Sequence, residues 1–348
     1  MECIYATLYV IRSYDHSCVC RGNYDFPAVL LEIFAGITYN LSNRTPRTSQ
    51  QMLMCPRGDI FMIQLKPPVT YEQQIKKLSS RGCKIVDTSF CTKVLSQINY
   101  YRLSAYFLPF KKNDGNYLPD TDFNSVYQIY EFDRNLRNLL FAAIEEVEIY
   151  LRTQLAYYHA HKYGALGYLD ANNYNIRHKH DKFKKLIDTE IENNRNTLFV
   201  KHHLKNYGGQ FPIWVITELF TFGMLSYFYS DLPMPDQKQV ARKLFGTIPK
   251  NITSWLRCCT DLRNICAHYG RLYYRIFPAA PAGLPSLEAT SNRRLFGAML
   301  TLRALSPDAD KWNNETCARL KELITSYFPV INLNHIGFPI EWEVKLKK

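Results

Sequence analysis

The sequence predicts a mainly α-helical fold. Apolar residues recur at helical spacing from about Asn124 to His161, helix-starting and helix-ending residues bracket most other segments, and neither strand alternation nor internal repeats stand out. With 47% hydrophobic and 21% charged residues, the 348-residue chain has ample material for a core.

Residues 1–61 read as a poorly ordered N-terminal extension, with Met62 the natural start of a helical domain over 62–348. The extension holds five acids (Glu2, Asp15, Asp25, Glu32, Asp59), five arginines (Arg12, Arg21, Arg44, Arg47, Arg57) and no lysine. All of the formal +12 charge therefore resides in the helical domain. Thr70 ahead of Glu72 and Gln73 is an N-cap, Ile75 and Leu78 supply an apolar face, and Arg81-Gly82 ends the first helix. A second helix lies between Phe90 and Phe110, with a turn at Asn113–Asn116.

In the long helix, Leu136, Leu139, Leu140, Ala143, Ile144, Val147, Leu151 and Leu155 form the buried stripe. Glu145, Glu148 and Arg152 occupy the other face, where Glu148 and Arg152 are spaced as a surface ion pair. A loop from Gly164 leads to a basic run at Arg177–Lys182 and another helix. Phe211–Trp214 opens an apolar helix through Tyr229, broken near Gly223, with a linker at 231–235. Helices at 236–245, 251–269, 291–305 and 311–328 complete the pattern.

A net charge of +12 and a pI near 9.1 favour a polyanionic partner, such as nucleic acid or an acidic membrane surface. No run approaches the roughly 18–20 apolar residues that span a bilayer, and the N-terminus lacks the layout of a secretory signal, so a cytoplasmic protein with no membrane partner is expected. The ten cysteines show no zinc-ligand spacing, and Cys258, Cys259 and Cys266 fall in a helical pattern as buried thiols. No metal and no cofactor are expected.

Arginine followed by histidine after a short gap occurs at Arg152/His159, Arg195/His202 and Arg263/His268. Chance would supply roughly one or two such matches, so spacing alone singles out none. The third differs in its surroundings. On a helix from Asn251, Trp255, Cys259, Leu262, Cys266 and Tyr269 form an apolar stripe, while Asp261, Asn264 and His268 share the opposite side. Arg263 lies about 140° round the helix from His268, and Gly270 fits a helix-ending C′ residue. The same pattern fits the wet face of an ordinary amphipathic helix.

The run Arg263-Asn264-Ile265-Cys266-Ala267-His268, continued through Tyr269 to Arg275, strongly resembles the Abi family of bacterial abortive-infection proteins (the AbiD/AbiF-like group), within the HEPN superfamily. Tyr101–Tyr106, Phe132–Arg137 running into Ile144–Arg152, Trp214–Ser226 and Gly337–Trp342 resemble further family blocks, so the likeness covers about 66 to 343.

That resemblance implies a HEPN-like helical bundle with additional N- and C-terminal helices, and a toxin-like, metal-independent endoribonuclease in phage defence. Arg263 and His268 are its implied catalytic pair, with Asn264 beside them. Arg271, Tyr273, Arg275 and Arg152 are candidate RNA contacts, and Glu145 and Glu148 candidate residues of the site border. A single histidine cannot flank both sides of an in-line phosphoryl displacement, so a homodimer is expected, with a regulatory RNA or protein antitoxin as a further candidate partner. The alternative is a non-catalytic RNA-binding or protein-interaction module of the same defence.

Overall fold

In a computed structural model, the described residues are the strands β1 (Met52–Met54) and β2 (Ile60–Met62), then 66–284 and 293–348. The chain divides into two units between Pro68 and Val69. In the first, β1 and β2 pair antiparallel with Met52 opposite Met62. The expected disorder of residues 1–61 otherwise falls outside the described residues.

The second unit is helical, as expected. Helix α1 (Tyr71–Ser80) opens with a full capping box, Thr70 Oγ1 accepting from Gln73 N at 3.3 Å and Gln73 Oε1 from Thr70 N at 2.9 Å. The helix expected between Phe90 and Phe110 is instead three pieces: α2 (Thr88–Gln97), α3 (Tyr100–Ser104) and a 3-10 turn at Leu108–Phe110. Asn99 explains the break, because its side chain accepts from Tyr101 N and starts a new helix. The turn expected at Asn113–Asn116 is closed by a bridge between Lys111 and Tyr117.

Helix α4 (Phe123–Tyr163) is the spine, 41 residues and about 60 Å long. Asp122 caps it, and Phe132, Leu136, Leu140, Ile144, Val147, Leu151 and Leu155 are buried along it. After two 3-10 turns come α5 (His180–Asn193) and α6 (Leu198–Asn206). The apolar segment after Phe211 divides into α7 (Ile213–Ile216) and α8 (Phe222–Asp231). Its break falls at Phe220-Thr221, where Thr221 caps α8, and Gly223 sits inside the first turn against Thr260.

The expected linker at 231–235 is mostly helix, since α9 runs Met234–Phe245. Pro235 sits in its first turn, where a missing N–H costs nothing. Helix α10 (Pro249–Ala267) packs on α4, α8, α9 and α11 (Leu295–Leu305). The C-terminal helix expected over 311–328 begins as α12 (Ala309–Lys311), widens into a π-turn at Trp312–Cys317 and continues as α13 (Ala318–Tyr327). Helix α13 lies on α4, and α14 (Trp342–Leu346) on α11.

Near its start, the apolar stripe of α4 is interrupted by a buried ion pair. Asp133 is fully buried and Arg137 nearly so, and they pair at 2.6 Å, four residues apart. Asp133 also accepts from the Tyr106 hydroxyl at 2.6 Å, from Leu272 N at 3.2 Å and from Tyr273 N at 2.8 Å. Arg137 donates to Gly270 O at 3.2 Å. The pair thus ties α4 to the chain just beyond α10. Removing one partner strands the other's charge away from water. Asp133→Ala is expected to lower stability by roughly 3–5 kcal/mol in denaturant unfolding; a loss below about 1 kcal/mol would show that the pair does not hold this joint.

His159, also on α4, has no exposure and neither ring nitrogen makes a hydrogen bond. It packs against Tyr163 and Phe228, so its match to Arg152 belongs to the core. Burial holds its imidazole down to about 4, against a small opposing pull from Asp236. The unfolded chain, at the ordinary 6.5, takes up that proton more readily. The resulting stability is present above about pH 6.5 and lost as pH falls through 4, amounting to about 3 kcal/mol by pH 4. In denaturant series at several pH values, His159→Phe should flatten that part of the profile; an unchanged slope would assign it to other groups.

Candidate active site

The end of α10 is built by its hydrogen bonds. His268 is the C-cap, its N–H donating to Asn264 O at 3.0 Å. Tyr269 N then donates to Cys266 O at 3.2 Å and Gly270 N to Ile265 O at 2.7 Å, the paired bonds of a Schellman turn. The left-handed residue of that turn is Tyr269, at φ +56°, and not the expected Gly270. Gly270 serves close approach instead: a Cβ there would lie 3.1 Å from Ile265 Cγ2 and 3.2 Å from Ile265 O. A left-handed tyrosine is strained by roughly 1–2 kcal/mol. Arg102 Nη1 binds Tyr269 O at 2.7 Å and Arg137 binds the next carbonyl, which holds the turn in place.

Tyr269, expected on the apolar stripe, is therefore outside the helix and 69% exposed. His268 and Asn264 are exposed, while Asp261 on their side of the helix is only half-exposed. Asp261 Oδ2 is buried without a hydrogen bond, and burial raises its carboxyl against the pull of Arg257 and Arg275.

Arg263 is partly buried. Its Nε lies 3.8 Å from Glu148 Oε2 on α4 and makes no hydrogen bond. Glu148 also pairs with Arg152 Nη2 at 2.5 Å, and Arg152 donates from Nε and Nη2 to Phe220 O. Glu148, expected in a surface ion pair, is buried, because α10 covers that side of α4. One carboxylate thus stands between two arginines. Glu145, nearly one turn earlier, is exposed.

The candidate RNA contacts separate. Arg152 and Arg275 are partly exposed, with Arg275 near Asp261. Arg271 is turned inward, binding Ala105 O and lying over the Tyr106 ring, and burial lowers its pKa. Tyr273 is 1% exposed, edge-on to Phe132, with its hydroxyl accepting from Asn332 N at 2.9 Å. Tyr273 presents no surface to a nucleotide, and Arg271 is partly exposed with its guanidinium engaged; both hold the chain beyond the turn. The reason is Asp133, whose carboxylate draws the backbone of 272–273 into the core.

Asp133, Arg137 and Arg102 support the site without being singled out by the sequence. The available signal was the placement of Asp133, Arg137 and Glu148 in register with the buried leucines of α4. Among the described residues, no three His, Cys, Asp or Glu side chains converge to hold a metal ion. Cys258, Cys259 and Cys266 are buried thiols pushed up to about 12 by burial, as expected.

The model of the family described as Abi-like protein matches residues 93–274, more than half of the chain. The chain belongs to that family. The match takes in the blocks at Tyr101–Tyr106, Phe132–Arg152 and Trp214–Ser226 together with Arg263–His268, and stops before Gly337–Trp342. No curated protein and no solved structure matches the chain. No described helix is long and apolar enough to cross a membrane.

In this Abi-like site, Glu148→Ala leaves Arg152 and Arg263 partly buried with no carboxylate between them. We expect a loss of roughly 1–3 kcal/mol in denaturant unfolding. A loss within about 0.5 kcal/mol would mean that solvent already neutralises both arginines.

Proposed function

We propose that this Abi-like protein is an anti-phage abortive-infection factor that acts as a toxin-like, metal-independent endoribonuclease of HEPN type. The observation that carries the reading is the end of α10. There a half-buried arginine is held by Glu148 with its Nε unbonded, and an exposed histidine caps the same helix. Membership of the Abi-like family supports the defence role.

RNA carries its own nucleophile. Its 2′-oxygen loses its proton to a base and attacks the adjacent phosphorus, the bond from phosphorus to the 5′-oxygen breaks, and an acid delivers a proton to that leaving oxygen. His268 is exposed enough to move those protons, and Arg263 offers donors to the charged phosphoryl oxygens. Asn264, one turn before the histidine, supplies a neutral amide to the same face.

Attack and departure occur on opposite sides of the phosphorus. Two copies related by a two-fold axis would provide a histidine for each side, so the active form is a homodimer in this reading. The products are a 2′,3′-cyclic phosphate and a 5′-hydroxyl, and DNA resists. Buried, unpaired cysteines among the described residues support a reducing, cytoplasmic setting, where a regulatory RNA or protein antitoxin would restrain the toxin.

Incubation of EDTA-treated protein with labelled RNA tests the reading. Wild type should release cyclic-phosphate ends and His268→Ala none, a loss on the order of 10²-fold or more, with unfolding unchanged because the ring is exposed. Equal cleavage by His268→Ala would overturn the mechanism. Tight, salt-sensitive RNA binding without products would favour the non-catalytic RNA-binding module.

A further inference from the structure

Helices α4 and α10 run antiparallel, since Arg263 faces Glu148 while Gly270, seven residues on, faces Arg137. Moving from Arg263 along α4 away from His268, the next charged side chain is Arg152, and there the surface opens. A cleft of about 360 Å³ lies between α4 and the α7 segment, lined by Arg152, Thr153, Tyr157, His161, Trp214 and Glu218. A second, of about 470 Å³, continues between α4 and α9, where Gln154, Lys162, Gln239 and Lys243 join it. The two share Tyr157 and His161, so they form one groove with an aromatic ridge across it.

The rings in this groove are placed as platforms. Tyr157 is 60% exposed and Trp214 53% exposed, although both are large apolar surfaces. Tyr157 and His161 lie against each other with centroids 3.9 Å apart and planes tilted by 34°, and His161 Nδ1 bonds Tyr157 O at 2.8 Å. The pair is therefore ordered before any ligand arrives. From Arg152 to His161 the helix advances about 14 Å, room for about four bases at the roughly 3.4 Å stacking repeat.

Polar groups suit the same occupant. Lys162 is paired with buried Asp236, and Arg152 with Glu148, which fixes both cations at the edges of the groove. On α9, exposed Lys243 adds a third cation to a lining whose one acid is Glu218. Gln154 and Gln239 bring amide groups that can meet base edges. Flat exposed rings, side-chain amides and a cationic rim are how unpaired nucleic acid is held. In a duplex the base faces are already stacked and cannot use such platforms.

We propose that this groove binds single-stranded RNA, with bases stacking on Trp214 and on the Tyr157–His161 pair, and that it leads the strand to Arg263 and His268. The proposal rests on the nuclease reading for the direction of the strand. The groove itself is tested by binding.

Fluorescence anisotropy of a labelled single-stranded RNA, and of the same strand in a duplex, would be measured with the full chain in a His268→Ala background, so that no substrate is consumed. Tyr157→Ala and Trp214→Ala should each weaken single-strand binding by about 5- to 100-fold, with Tyr157→Phe and Trp214→Phe keeping most of it. Duplex binding should be untouched. If an alanine variant unfolds, the phenylalanine variants together with Lys243→Glu carry the test: retained binding in the former and a loss of at least about 3-fold in the latter are required.

Alanine variants that bind within about 2-fold of the background protein would overturn the proposal. So would equal loss on the duplex, or absence of single-strand binding in the unmutated groove. A drop in oligomer mass on sedimentation of Tyr157→Ala would overturn it too, making the groove a contact between copies. Product analysis of the His268 protein separates the two readings. Cleavage that ignores Tyr157 and Trp214 sinks the groove and spares the nuclease; binding through them without cleavage does the reverse.

Discussion

The joint between Asp133 and the backbone of Leu272 and Tyr273 is what the candidate site depends on. A buried carboxylate is costly, and this one is tolerated because an arginine, a tyrosine hydroxyl and two backbone N–H groups converge on it. Such a pair adds little net stability over apolar packing. Its value lies in direction: carboxylate and N–H groups must meet at set angles, whereas leucines would accept several arrangements. The chain leaving α10 is forced to reverse at His268, and a tyrosine is held in a left-handed conformation to do so.

Glu148 does related work for the arginine. It takes one full ion pair from Arg152 and only a long contact from Arg263, so the two arginines are unequal. Arg152 is committed, with both donors also on Phe220 O. Arg263 keeps an unbonded Nε in a partly desolvated place, where a phosphate oxygen would be a better partner than the distant carboxylate. Both supports come from one helix, α4; Glu148 acts on α10 and Asp133 on the chain just beyond it.

Much of the fold was legible because helical periodicity and caps are local. Thr70 and Gln73, the leucine stripe of α4 and the placement of α10 needed only neighbours in sequence. The breaks were harder. Asn99 and Thr221 cap new helices inside runs that stay apolar, and hydrophobic spacing alone does not register a cap. At the site, His268, Arg263 and Asn264 were legible from their run and its family resemblance. The roles of Arg271 and Tyr273 were not. Both look like surface groups for RNA until residues far away in sequence engage them: Asp133 binds the backbone of Tyr273, and Ala105 O takes the guanidinium of Arg271. Glu148 was hidden for the same reason: only the packing of α10 decides which side of α4 is wet.

Asp133 and Glu148 stand fifteen residues apart on an unbroken helix, so α4 acts as a ruler between the two halves of the site. One residue more or fewer between them would turn one anchor about 100° away from the other. The two could then no longer hold α10 and the chain leaving it together. Substitutions in that interval can be absorbed one side chain at a time, but changes of length cannot. In descendants of this chain, insertions and deletions should therefore be rejected between the two carboxylates for a reason of phase rather than of chemistry.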